Sequence, residues 1–341
     1  MTPYVPGEQP RLPNLVKLNT NENPYPPSPA VERALCGIKA ETLRLYPDSV
    51  CTALRDTLAA LFDCTPANIL VANGSDEALR LCTDAFVEPD GSIGYFDPSY
   101  SLYPVLAAMR GISARPVNLW PELTWKMPPQ YAAPLFFLAN PNAPTGMAFE
   151  KERIAEFCAA FPGVVVIDEA YADFARENCL DLALSLPNVL VCRTLSKSYS
   201  LAGLRLGFLI GSESLIDALY KIKDSYPIDR IALVLAEAAV SDQAHKNANV
   251  QKIIATRTRV ARELQARGWH VLPSETNFLW CRPPAREDAR PPAAVVFKAL
   301  REKSIIVRYW DAPNLDAFLR ITIGTDSQMD ALLNALRALK I

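Results

Sequence analysis

The chain has 341 residues, half of them apolar and 21% charged, with a formal net charge of −2. That is enough chain for two globular domains with a core each, and the absence of a basic block excludes a nucleic-acid partner held through phosphates. The eight cysteines occur singly, with no CxxC pair, and His245 and His270 lie far from any cysteine cluster, which argues against a zinc site or disulfide framework and for a reducing cytoplasm.

The N-terminal MTPYVPG has no basic segment followed by an apolar one, and no apolar run approaches the length of a bilayer span. The expectation is a soluble cytoplasmic protein with no membrane association. Residues 1–30 are rich in Pro and Asn and read as an extended arm lying on something else. Residues 29–45 have helical spacing, and 51–62 form a second helix with Leu54, Leu58 and Leu61 on one face. A strand at 68–72 then leads through NGSDE (73–77) into a helix at 78–86. Gly74 permits the tight turn, and Ser75 or Asp76 can cap the helix. A strand, a glycine turn and a helix start aim N–H groups at one spot, which favours an anion such as a phosphate.

Strands follow at 92–96, 114–118, 134–139, 163–167, 188–192 and 206–210, with helices at 102–110 and 149–161. Strands separated by helices predict an α/β fold, a mostly parallel sheet covered on both faces. Functional loops in such sheets gather at the carboxyl ends of strands. The polar clusters at 73–76, 97–100, 140–145, 168–171 and 194–197 each follow a strand. Beyond residue 211 the alternation stops. Helices at 214–223 and 229–240 precede a long one at 245–267, whose basic face reads as a solvated stripe. Strands at 277–281, 305–309 and 318–323 and helices at 293–303 and 326–340 make a smaller α+β unit, interrupted by an exposed loop at 281–292. The division expected is an arm (1–30), a large domain (31–244) and a small domain (245–341), bridged by the long helix.

The chemistry centres on TLSKSYSLAGLRLG (194–207), which lies between two buried strands. Burial and the nearby Arg205 both disfavour the ammonium form of Lys197, so it reads as a usable amine near neutral pH. The adjoining serines and Arg205 suit a phosphate ester, and an amine beside a phosphate site suggests pyridoxal phosphate (PLP). Asp168 ends the apolar run VVVI (164–167). It reads as an N-cap, as a buried ion-pair partner, or as the carboxylate that keeps a pyridine nitrogen protonated. Arg308 and Arg320 sit in or beside apolar strand sequence, either in strand-end salt bridges or as a pair of forks for an anionic substrate.

The ordered motifs NTNENPY (19–25), YPD (46–48), NGSDE (73–77), DPSY (97–100), NPNAPTG (140–146), DEAY (168–171), SKSYSLAGLR (196–205) and LRITIG (319–324) span essentially the whole chain. Together they resemble the class I/II aminotransferases of PLP fold type I. The resemblance implies that Lys197 binds the cofactor as a Schiff base and moves a proton between Cα and C4′. It implies that Asp168 pairs with the pyridinium nitrogen, Tyr171 donates to O3′ and Tyr100 stacks on the ring. The N–H groups of Ser75 and Asp76, the Ser196 hydroxyl and Arg205 would hold the phosphate. Tyr46 would reach that phosphate from the other subunit of a homodimer with shared active sites. The family carries asparagine before Pro-Thr-Gly, bonded to O3′, where this chain has Ala143; either Asn142 substitutes through a shifted loop, or Tyr171 carries O3′ with another donor. Tyr25, Arg308 and Arg320 resemble the group that holds the substrate's anionic end. The activity implied is amino exchange between L-histidinol phosphate and 2-oxoglutarate in histidine biosynthesis. Aromatic amino acid transamination, threonine-phosphate decarboxylation and a non-catalytic PLP-binding regulator are the alternatives.

Overall fold

The computed structural model describes residues 6–285 and 292–339. In chain order the first half contains β1 (Val16–Leu18), α1 (Pro29–Cys36), α2 (Thr52–Phe62), β2 (Ile69–Ala72), α3 (Gly74–Phe86), β3 (Ser92–Asp97), α4 (Leu102–Arg110), β4 (Ser113–Asn118), β5 (Leu135–Ala139) and α5 (Lys151–Ala160). There follow β6 (Val164–Asp168), α6 (Leu180–Ser185), β7 (Val189–Thr194), β8 (Gly207–Gly211), α7 (Glu213–Tyr220), α8 (Arg230–Ser241) and α9 (Gln243–Gln265). The last elements are β9 (His270–Val271), β10 (Phe278–Arg282), α10 (Pro292–Glu302), β11 (Ile305–Tyr309), β12 (Leu319–Thr322) and α11 (Asp326–Ala338).

Seven strands form one sheet in the order β2-β8-β7-β6-β5-β3-β4. Only β8 runs against its neighbours, so β2, β3, β5, β6 and β7 all end at the same edge. The fold is therefore α/β with a mostly parallel sheet, as the alternation predicts. Side chains alternate across a strand, and both faces of the inner strands are apolar, whereas β4 at the edge is largely exposed. Phe137, Val166 and Cys192 pack under α3, α4 and α7 on one face. Phe136, Val165, Ile167 and Val191 pack under α5 and α6 on the other, while α1, α2 and α8 cover the β2–β8 end. A sheet buried on both faces can present polar groups only at its ends, and that confines chemistry to the strand termini.

The second sheet has the order β1-β11-β12-β10-β9 and packs with α9, α10 and α11. Its outermost strand comes from the arm: Val16–Leu18 pairs in parallel with Ile305–Val307. The arm is thus held by backbone ladder bonds, although it belongs to the other end of the chain.

The structure corrects several local expectations. The helix expected over 29–45 stops at Cys36, where the Gly37 N–H caps the carbonyls of Arg33 and Ala34; a short 3₁₀ turn, Ala40–Arg44, replaces its second half. In α2 the buried side chains are Leu54, Leu58 and Ala59, whereas Leu61 is exposed, because Phe62 continues the inward stripe one turn after Leu58. Ser75 and Asp76 do not cap α3. Gly74, at φ +82°, makes the turn so tight that the helix begins there, and the N-cap position falls to Asn73. In the loop expected at 281–292, Cys281 and Arg282 extend β10, and residues 286–291 lie outside the described residues. Among the described residues no helix is long and apolar enough to cross a membrane.

Candidate active site

Asp168 terminates β6 in register with Ala139 of β5 and Cys192 of β7. It is buried, accepting a hydrogen bond from the Tyr103 hydroxyl at 2.9 Å and one from the Ala170 N–H at 3.2 Å. Burial pushes its carboxyl up to about 6 despite those two bonds, and the nearby negative charges of Asp76 and Glu169 push the same way. The same burial, reinforced by Asp168, drives the Tyr103 hydroxyl well above its ordinary range, so it serves as a neutral donor. A desolvated carboxylate fixed at a cleft edge favours a cation opposite it. Tyr103 is absent from the sequence reading: it lies one turn past Tyr100, on a face where a core aromatic is the ordinary assignment, and it does pack on Phe137.

Three residues on, Tyr171 is buried with its ring edge-on to Phe278. Lys197 lies beyond the end of β7, half-buried, with Nζ 5.7 Å from the centroid of the Tyr171 ring. Tyr171 and Lys197 are therefore brought together, and Asp168 ends the strand beside the one that leads into Lys197, although 29 positions separate Asp168 from Lys197.

Beside them, β8 approaches the start of α3 so closely that a Cβ on Gly207 would lie 2.6 Å from the Ser75 N. A Cβ on Gly74 would lie 2.8 Å from Arg205 Nη2. The two missing side chains leave a cradle floored by the first N–H groups of α3, which have no partner within their own helix. Arg205 overhangs it from a left-handed conformation (φ 55°), with Nη1 3.5 Å from the Ser196 hydroxyl and Nη2 3.3 Å from Asp76 Oδ2. Asp76 also accepts from the Tyr100 hydroxyl at 3.0 Å, and the Tyr100 ring stands edge-on to Tyr103. Ser75, Asp76, Tyr100, Ser196 and Arg205 are thus brought together. The donor set and the glycine cradle fit a phosphate ester, and Asp168 and Lys197 beside it fit a pyridine ring carrying an aldehyde.

Asn142 is differently employed. Its amide donates to the Pro98 carbonyl at 3.0 Å and to Thr145 Oγ1 at 3.1 Å, and its oxygen accepts from Ser99 at 2.7 Å. Both amide protons are spent on bracing two loops, and Ala143 beside it is buried. Tyr46 is 77% exposed, stacked on Tyr226 at 4.4 Å, on the surface of this subunit.

The arm and the second sheet close the site. Arg308 and Arg320 are direct partners across β11 and β12, and both guanidinium groups lie over Trp310, at 5.1 and 5.2 Å. Arg320 also donates to the Asn19 carbonyl at 3.1 Å. Tyr25 packs on the second core beneath Lys252. Behind Lys197 runs a buried ionic network that local sequence does not announce, because its members are remote along the chain. Arg193 Nε donates to Glu169 at 2.7 Å, and Asp173 takes Lys246 at 3.1 Å and the Ser198 hydroxyl. Although burial pushes Asp173 up, Arg193, Lys246 and Ser198 hold it below its ordinary value. No cluster of three or more potential metal ligands occurs among the described residues.

A family model described as aminotransferase class I and II matches residues 13–336. Histidinol-phosphate aminotransferase 2 of Thiobacillus denitrificans is 45% identical, covering 99% of this chain and 95% of its own. Histidinol-phosphate aminotransferase of Syntrophotalea carbinolica is also 45% identical, over 98% and 96%. The crystal structure of histidinol-phosphate aminotransferase from Sinorhizobium meliloti in complex with pyridoxal-5'-phosphate superposes with a TM-score of 0.82 at 27% identity, over 95% of this chain and 91% of that one.

Proposed function

This chain belongs to the aminotransferase class I and II family, and from that premise we propose that it is a PLP-dependent enzyme exchanging an amino group between L-histidinol phosphate and 2-oxoglutarate. The observation that carries the reading is the convergence of Lys197, Asp168 and the glycine cradle under Arg205 at one sheet edge. When bound, PLP supplies an electron-withdrawing ring that stabilises negative charge at the substrate carbon.

Lys197 supplies the amine that holds the cofactor and then carries the proton taken from the substrate. Asp168, costly to ionise in its buried site, is offset by a cationic ring nitrogen and so keeps that nitrogen protonated. The Ser75 and Asp76 N–H groups, Ser196 and Arg205 hold the phosphate, with Asp76 and Tyr100 fixing Arg205 and the ring side of the cleft. Tyr171 donates to O3′. Asn142, with its amide protons engaged elsewhere, braces the loop.

At the other side of the cleft, two adjacent guanidinium groups concentrate charge suited to a phosphate bearing nearly two negative charges. Arg308 and Arg320, with Tyr25, bind that end of histidinol phosphate and, in the other half-reaction, the carboxylate of glutamate that takes its place. The 45% identity to relatives named for histidinol phosphate supports this substrate. Mixing the PLP-loaded enzyme with histidinol phosphate, phenylalanine or O-phosphothreonine tests it. Histidinol phosphate is expected to discharge the visible absorbance and yield glutamate from added 2-oxoglutarate; carbon dioxide release or discharge by phenylalanine alone would refute it.

The same reading places the enzyme in the cytoplasm as a homodimer of arm (1–30), large (31–244) and small (245–341) domains. Leu43, Leu45, Tyr46, Ile222 and Tyr226 are all exposed, and Tyr46 stacks on Tyr226, apolar surface suited to a second copy whose cleft Tyr46 would reach. Sedimentation velocity of the wild type and Tyr46→Ala, with PLP titration of each, checks both parts.

A further inference from the structure

We infer that Asn21, carried by the arm, is a positioning residue that sets the direction of the Tyr171 hydroxyl proton. The inference rests on the PLP reading above and deepens it. The Asn21 N–H donates to Thr322 Oγ1 at 3.0 Å, so the Thr322 hydroxyl proton is free to go to Asn21 Oδ1, also at 3.0 Å. With the amide oxygen turned to the Thr322 hydroxyl, the amide nitrogen, Nδ2, faces the Tyr171 oxygen at 2.8 Å. An amide nitrogen can only donate. The Tyr171 oxygen must therefore accept on the arm side, and its own proton points away from Asn21, toward the cleft.

The arrangement is held firmly. Asn21 and Thr322 are each 2% exposed. The Asn21 carbonyl accepts from Asn277 at 2.9 Å, and the backbone sits at φ 56°, a left-handed conformation that asparagine tolerates better than most residues. Two residues on, Asn23 donates to the carbonyls of Lys197 and Ser198 at 3.1 and 3.2 Å, tying the same arm to the loop that bears the amine.

The need for such a device follows from position 143. With alanine there and both Asn142 protons engaged with Pro98 and Thr145, the O3′ oxygen depends on Tyr171, and the direction of one proton matters more. A hydroxyl that accepts one hydrogen bond also becomes a stronger donor through its own proton.

The test is the pH midpoint of the visible absorbance of the PLP-loaded enzyme, with thermal melting recorded alongside. Weaker donation to O3′ leaves more negative charge on that oxygen, so the neighbouring nitrogen keeps its proton to higher pH. Asn21→Ala is expected to raise the midpoint by about half a unit to one unit. Asn21→Asp keeps the shape but turns the donor into an acceptor, reversing the proton, and raises it further. In a Tyr171→Phe background Asn21→Ala should add nothing. Should Asn21→Ala fold poorly, Thr322→Val, which removes only the hydroxyl that orients the amide, is expected to give a smaller shift in the same direction. A midpoint unmoved by these substitutions while melting falls would reduce Asn21 to a structural residue and overturn the inference. A shift that persists in the Tyr171→Phe background would overturn it too. An enzyme that takes up no PLP would overturn the cofactor reading and this inference together, an outcome visible before any variant is made.

Discussion

Removing the carboxylate at position 168 separates the cost of burying it from its use. In the cofactor-free protein Asp168 ionises near 6 in the folded state against 3.8 in the unfolded chain, chiefly because it is buried. Between those values the folded protein binds more protons, so stability falls as pH rises: the contribution is full below 3.8 and lost above about 6. The difference amounts to about 3 kcal/mol, of which about 2–3 kcal/mol is lost between pH 4 and pH 7.5. Asp168→Asn cannot ionise and escapes that loss. It does disturb the bonds from Tyr103 and Ala170, but that cost does not vary with pH and cancels when two pH values are compared. Urea unfolding of cofactor-free wild type and Asp168→Asn at pH 4 and 7.5 should show the variant gaining about 2–3 kcal/mol relative to wild type at the higher pH. Added PLP should then reverse the order, stabilising the wild type more, because the ring cation meets its counter-charge only there. A wild-type-minus-variant difference that ignores pH would refute the argument that burial has loaded this carboxylate with free energy.

Lys197→Ala is expected to abolish turnover and the borohydride-reducible visible chromophore; transamination at the wild-type rate would remove the lysine from the mechanism. Gly207→Ala pushes a methyl group against the Ser75 N and the Gly74 carbon, both backbone, so neither can rotate away; melting should fall with a loss of roughly 2 kcal/mol or more, and PLP titration should show weakened binding. Arg320→Met should raise KM for histidinol phosphate about 100-fold, the order expected for one lost charged bond of about 3 kcal/mol, with PLP binding spared. Arg193→Leu leaves Glu169 buried without its counter-charge and should cost about 3–5 kcal/mol in urea unfolding.

The regular alternation of apolar runs with amphipathic stretches is a local property, and the parallel sheet could be read from it. So could the five polar clusters at strand ends, because a strand buried on both faces leaves its terminus as the only outlet for a polar residue. Errors fell where local signals compete. Gly37 ended a helix whose apolar spacing continues to residue 45, and Gly74 displaced the cap from Ser75 and Asp76. Tyr103 was hidden because a buried aromatic in a helix has the same sequence signature whether or not its hydroxyl holds a carboxylate.

What the sequence determined by itself was the set of chemical parts, the amine of Lys197, the carboxylate of Asp168, the glycines and the arginines, together with the edge of the sheet where they had to emerge. What only the tertiary structure decided was who holds them. Asn21 reaches Tyr171 from 150 positions away and Thr322 from 301, and Arg193 meets Glu169 from a neighbouring strand. Such contacts depend on how β1 joins β11 and how β6 lies beside β7, and no periodicity along a chain encodes the pairing of segments that distant.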